Sequence, residues 1–330
     1  ELLGNNALST IDLGRRVNPK NQLQKYALRY KKRGFIRKYL QKYRKDFDLI
    51  WATSEITVRE CGVLLLDCKY VMQLMELVNY VPLFGNQTLF QFDIAKYARA
   101  AYKVVVPEYN RAHIIKARWE LDKLPTILPN KPYRVDLPGE HSKEATKIIT
   151  MLKNERRKIL LYQGGFTPDR RFEEFAEAAR LLGDDYVLYL MGFENDYCCK
   201  ILKEYPHVKY LGALKPPEHL LAAQYAYIGI LTYIPVKVAF YSEMNALYCA
   251  PNKIYEYALC DLPMIGTDVP GISRIFDKYH IGMYCKELTA VSIAETVKKI
   301  EANYDECKSG CKKFYDDVDL KEIVKRIVEE

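Results

Sequence analysis

Between Asp12 and Asp46 the chain has no acidic residue, while the same interval holds thirteen lysines and arginines. Elsewhere 37 basic residues stand against 42 acidic ones, so the net charge of +8 belongs to one segment and not to the whole surface. Charge alone would admit a nucleic-acid partner, but no recognised nucleic-acid motif accompanies it, and none is expected. Long apolar runs are missing too. The stretch from Val71 to Phe84 is broken by Gln73, Glu76 and Asn79, well short of the ~18 apolar residues a spanning helix needs. The opening residues carry no leader pattern. Cysteine pairing is absent: the nine cysteines are scattered, Cys198 beside Cys199 and Cys307 four before Cys311, with no paired Cys-x-x-Cys. That excludes a zinc framework and reads as free thiols in a reducing cytoplasm. The five histidines, His113, His141, His207, His219 and His280, show no ligand spacing and receive no role. Asp46-Phe47-Asp48 and Asp317-Val318-Asp319 have an Asp-x-Asp pattern but read as surface beside a strand and a charged helix, so no metal is expected. Repeats and low-complexity segments are also lacking.

What is there is alternation. At 330 residues the chain has room for two domains. Apolar runs of strand length occur at Asp48–Ser54, Tyr70–Glu76, Tyr102–Pro107 and Pro125–Asn130. They recur at Lys158–Gln163, Tyr186–Met191, Val208–Leu211, Tyr227–Thr232, Leu262–Gly266 and Gly282–Cys285. Helical patterns separate them, notably Arg171–Leu182 and Glu218–Tyr225, which predicts α/β architecture with parallel sheets. Ser9–Leu13 reads as a further strand. Leu23, Tyr26, Ala27 and Tyr30, then Phe35, Ile36, Tyr39, Leu40 and Tyr43, predict two basic amphipathic helices or one broken at Gly34. The polar piece from Leu137 to Ser142 is the candidate linker. Cys311 to Glu330 reads as a charged amphipathic helix.

The chemistry-bearing string is Ala250-Pro251-Asn252-Lys253-Ile254-Tyr255-Glu256-Tyr257-Ala258, followed by Leu262-Pro263-Met264-Ile265. Pro251 suits a first helical turn. Ile254, Tyr257 and Ala258 share a face, which leaves Glu256 on another, close to the helix start. A helix start is a ready anion site, and a carboxylate beside it can take two hydroxyls of a ribose. Glu256 as a mere complement to the helix dipole is the bland alternative. Upstream, Gly164 and Gly165 end a strand and permit close backbone approach. Arg170 and Arg171 enter the next helix, where a planar guanidinium suits phosphate.

These strings resemble GT-B glycosyltransferases, specifically the family 4-like ones with the "PNK-x-x-EY" signature, from about Asp46 to the end. The resemblance implies two Rossmann-like parallel-sheet domains with a cleft between them. We place an acceptor-side domain at 1–140, a donor-binding domain at 141–312, and a C-terminal helix at 313–330 crossing back to the first. Because the chain opens on Glu1-Leu2-Leu3-Gly4, where the family begins with a strand and Gly-rich turn, the first domain is expected to be truncated. The resemblance assigns the ribose to Glu256, and the diphosphate to Arg170, with Arg171 as its alternative, and Lys253. Gly164, Gly165, Gly192, Phe193, Leu214 and Asn252 are placed around the nucleotide. Eight residues before Glu256 stands Tyr248, where the commoner pattern has a second Glu, and the resemblance hands the transferred sugar to Asn245, with Glu243 as its candidate partner. Met75 stands where relatives carry His, and Glu76 is left to orient or deprotonate the acceptor. The implied activity is retaining, metal-independent transfer of a sugar from a nucleotide-sugar to a lipid-linked or polysaccharide acceptor, with no cofactor. The basic segment 15–45 implies docking on an anionic membrane surface from the cytoplasm. A non-catalytic subunit binding a protein or glycan partner is the alternative. A sugar-nucleotide epimerase on the same fold is less well matched, because its acid/base His and carboxylates are not evident.

Overall fold

The computed structural model describes residues 20–83, 90–132, 140–238 and 241–329. The expected strand at Ser9–Leu13 and the first half of the expected linker lie outside the described residues. The chain divides into two units: the first runs up to Leu128 and includes Tyr241 and the segment from Asp319, and the second holds Pro129–Val238 and Ser242–Val318.

The first unit contains α1 (Gln22–Tyr43), β1 (Ile50–Thr53), α2 (Glu55–Cys61), β2 (Tyr70–Gln73), β3 (Val81–Pro82), β4 (Gln91–Phe92), α3 (Ile94–Ala100), β5 (Lys103–Val106), α4 (Tyr109–Trp119) and β6 (Thr126–Ile127). Strands β1-β2-β5-β6 form a parallel sheet in that order, and β3 and β4 form a small antiparallel pair. Gly34 does not break the basic segment. α1 is one continuous helix, because an exposed glycine costs only about 1 kcal/mol and the rest of the helix packs on α2.

The second unit contains α5 (Lys143–Asn154), β7 (Lys158–Gln163), α6 (Glu173–Leu182), β8 (Tyr186–Met191), α7 (Asp196–Glu204), β9 (Lys209–Gly212), a 3₁₀ segment at Glu218–Tyr225, β10 (Ile228–Leu231), α8 (Glu243–Leu247), α9 (Asn252–Leu259), β11 (Met264–Thr267), α10 (Pro270–Tyr279), β12 (Gly282–Cys285), α11 (Ala290–Ala302) and α12 (Tyr304–Asp316). Its six strands are all parallel in the order β12-β11-β10-β7-β8-β9. The four inner strands, β11, β10, β7 and β8, are buried on both faces. On β7, Ile159 and Leu161 join one core cluster while Leu160 and Tyr162 join the other, as a parallel sheet covered by helices requires.

Three element ends differ from expectation. α6 starts at Glu173, so Arg170 and Arg171 lie in the loop before it. Pro251 precedes α9 as its N-cap and is not within its first turn. The tail is two helices: α12 ends at Asp316, and α13 (Leu320–Glu329) starts afresh with Asp319 accepting from the Glu322 N–H. Ile327 of α13 is buried with Val71 and Val105 in the first unit.

Candidate functional site

The order of the six-stranded sheet reverses between β7 and β10, since β8 continues on one side of β7 and β10 on the other. Such a switch point opens a crevice at the carboxyl ends of the strands. Three glycine turns lie at those ends. The Gly164 N–H donates to Met191 O at 2.8 Å, and the Gly192 N–H donates to Gly212 O at 2.8 Å. A Cβ on Gly192 would come within 2.0 Å of Gly164 O, and Gly164 itself holds φ +144°. The turns after β7, β8 and β9 are thus laid backbone against backbone. Tyr162 Oη donates to Gly165 O at 2.7 Å and fixes the next residue of the loop.

α9 is set over this crevice by Tyr257. Its ring packs against Gly229 of β10, and its hydroxyl donates to Leu161 O and accepts the Gln163 N–H, both at 3.2 Å. One residue earlier, the Glu256 carboxylate accepts from Gln163 Nε2 at 2.8 Å and meets His219 Nε2 at 3.3 Å. Burial alone would raise the Glu256 carboxyl. His219, Gln163 and the nearby Lys253 outweigh it and hold the group below the usual carboxylate range. His219, to which the sequence assigned no role, is the residue missed here. It lies 37 positions from Glu256, and no local spacing could have announced it.

Two cations stand beside the glycine turn. The Lys253 ammonium lies 2.8 Å from the point a Gly164 Cβ would occupy and 5.2 Å from the Tyr162 ring centroid. Burial, and then the neighbouring Arg170, push this ammonium down to about 8. No carboxylate among the described residues pairs with it. Arg170 is stacked at 3.7 Å over the Tyr233 ring and paired with Asp169, which also accepts from Thr167 Oγ1 at 2.6 Å. Burial opposes its charge, but Tyr233, Tyr162 and Asp169 raise its pKa above the ordinary guanidinium value. Two neighbouring cations, of which only Arg170 has a carboxylate in direct ion pairing, offer donors to an anionic ligand.

Other expected residues are placed as follows. Asn252 is the exposed first residue of α9. Asn245 is half-buried in α8, and its N–H donates to Ser242 O. Leu214 is buried in the core just past β9. Two side chains are exposed: Arg171 is 53% exposed and paired with Glu174, and Phe193 is 80% exposed. Glu76 belongs to the first unit, just past β2. The Met75 and Glu76 N–H groups both donate to the buried carboxylate of Glu55, at 3.1 and 3.0 Å. Buried Arg111 donates to Met75 O at 2.9 Å and reaches the Glu76 carboxylate at 3.9 Å.

No family model and no curated protein matches this sequence. Solved structures do match. HepE from Anabaena in complex with UDP is 12% identical, with 90% of this chain and 81% of that one covered at a TM-score of 0.64. A glycosyltransferase from Rickettsia africae is 14% identical, with 96% and 85% covered at 0.62. A Listeria monocytogenes structure assigned as a UDP-N-acetylglucosamine 2-epimerase is 8% identical, with 94% and 79% covered at 0.56. The fold is GT-B. The presence of transferases and an epimerase among its neighbours means that GT-B architecture alone does not name the reaction; in this GT-B chain the side chains around Gly164 must do so.

Proposed function

We propose that this GT-B chain is a glycosyltransferase that uses a nucleotide-sugar donor. The observation that carries the reading is the convergence of Lys253, Arg170 and Glu256 on the Gly164 turn at the switch point of the second unit. HepE, a neighbour in fold, has been solved with UDP-glucose, which supports the donor class. In the proposed mechanism Glu256 accepts the ribose hydroxyls, and the backbone of Gly164, Gly165 and Gly192 lets the diphosphate approach. Lys253 and Arg170 neutralise the charge that grows on the departing diphosphate. Asn252 lies at the start of the same helix, and Asn245 is assigned to the transferred sugar. Glu76, on the other unit, is assigned to the acceptor hydroxyl, taken to belong to a lipid-linked or glycan acceptor. Retention of configuration and independence of metal are proposed from the family resemblance. Glu256→Ala tests the reading: loss of sugar transfer or donor hydrolysis is expected, and activity that survives unchanged ends it.

A binding subunit without catalysis is the second reading, favoured by Tyr248 and Met75 standing where the family pattern has Glu and His. Nucleotide binding with no turnover of any donor would select it.

We also propose that α1 docks on an anionic cytoplasmic membrane face. Among the described residues no helix is long and apolar enough to cross a membrane. The helix has two different basic faces. Arg29, Arg33 and Arg37 repeat every four residues and turn inward, the first two to the Glu60 carboxylate and Arg37 to its backbone carbonyl. Lys25, Lys31, Lys32, Lys38 and Lys42 remain exposed, beside exposed Leu23, Tyr26 and Tyr30. The lysines, at about 1 kcal/mol each near an anionic surface, carry the proposal; the arginines do not.

A further inference from the structure

Gln163, His219 and Glu256 come from three different elements of the second unit: the end of β7, the 3₁₀ segment and α9. Gln163 Nε2 donates to one carboxylate oxygen of Glu256 and His219 Nε2 faces the other. The remaining polar atom of each partner, Gln163 Oε1 and His219 Nδ1, is buried with no hydrogen-bond partner. Among the described residues, then, the side chains of Gln163 and His219 make hydrogen bonds to Glu256 alone. Buried polar groups are ordinarily satisfied, and an unsatisfied pair calls for an explanation. If the three side chains together served only the fold, apolar residues at all three positions would serve it as well.

We infer that Gln163 and His219 are positioning residues that hold Glu256 in one rotamer and thereby set its selectivity for a vicinal diol. A carboxylate offers about four lone-pair positions, two on each oxygen. One protein donor on each oxygen leaves each oxygen able to accept one hydroxyl more. That pair of oxygens fits two adjacent hydroxyls, as on a ribose, and matches a 2′-deoxyribose poorly. In the neutral ring, donation from Nε2–H leaves the buried Nδ1 of His219 as an unpaired acceptor. The inference rests on the nucleotide reading of the same site.

The test measures the affinity of intact protein for UDP, GDP and ADP, and then for the 2′-deoxy form of whichever binds tightest. Wild type is expected to prefer the ribo form by about tenfold or more, the value of one hydrogen bond to a charged acceptor. His219→Phe and Gln163→Met should each bring the ratio toward unity. His219→Gln, which keeps a donor, should restore it. A residue that merely supports the fold would weaken both nucleotides together and leave the ratio alone. A ratio unchanged in both variants overturns the inference. So does a wild type that binds both forms equally, although nucleotide binding then still stands. Wild type that binds no nucleotide overturns the nucleotide reading, and the inference with it. If His219→Phe does not fold, Gln163→Met carries the comparison.

Discussion

The Tyr257 ring fills the place where a side chain on Gly229 would stand: a Cβ there would come within 2.5 Å of the ring. The Tyr257 hydroxyl meanwhile satisfies Leu161 O and the Gln163 N–H of β7. One glycine on β10 therefore sets how closely α9, and with it Glu256, approaches the sheet. Gly229→Ala should lose about 1–3 kcal/mol of stability through overpacking, read from urea unfolding. It should also weaken nucleotide binding in the fraction that folds. Wild-type stability in this variant would mean that α9 is not seated as described.

Lys253 gives a pH dependence of definite sign. Its ammonium is depressed to about 8 in the free protein, and a bound diphosphate would favour the charged form. Binding then takes up a proton, so affinity falls as pH rises through about 8. Calorimetry between pH 7 and 9 should show that decline in wild type, and a weaker but level affinity in Lys253→Met. A level profile in wild type would remove Lys253 from the anion site.

Glu55 gives a linkage of the same sign, expressed in stability and not in binding. Burial lifts this carboxyl from 4.5 to about 7. A raised carboxyl stabilises the fold fully below its unfolded value, and that contribution is lost as pH climbs through the folded one. Between these values wild type should lose roughly 3 kcal/mol at most. Glu55→Gln keeps an oxygen for the Met75 and Glu76 N–H groups and carries no charge. It should flatten the slope and be at least as stable as wild type at pH 8. A slope that persists in the variant would show that another group causes it.

The two faces of α1 should separate in experiment. Arg33→Ala removes a 2.7 Å bond to Glu60 and should cost about 1–3 kcal/mol of stability. Replacing Lys31, Lys32, Lys38 and Lys42 by Gln should leave stability within roughly 0.5 kcal/mol per residue and abolish flotation with anionic vesicles. Equal flotation with neutral and anionic vesicles would refute electrostatic docking.

Much of the fold was legible in the sequence. Lys158–Gln163 and Tyr186–Met191 are strands with the bounds read from their apolar runs, because strands covered on both faces leave no polar alternation to blur their ends. Helix ends were less legible. Asp319 caps α13 through its side chain, yet in sequence it reads as one more acid in a charged run. The arginines of α1 looked like part of a uniform basic surface because Glu60, their partner, comes after the helix in the chain. In the site, Lys253 and Glu256 could be read from one short string. Gln163 and His219 could not, since they reach Glu256 across 93 and 37 residues and only the sheet order brings them there.

Calorimetric titration of the intact protein with UDP, GDP and ADP, repeated on Glu256→Ala, bears most directly on a nucleotide-sugar site at the Gly164 turn. One nucleotide should bind at a single site, and Glu256→Ala should weaken it by about tenfold or more. Absence of binding by all three, or binding that Glu256→Ala leaves untouched, would contradict it.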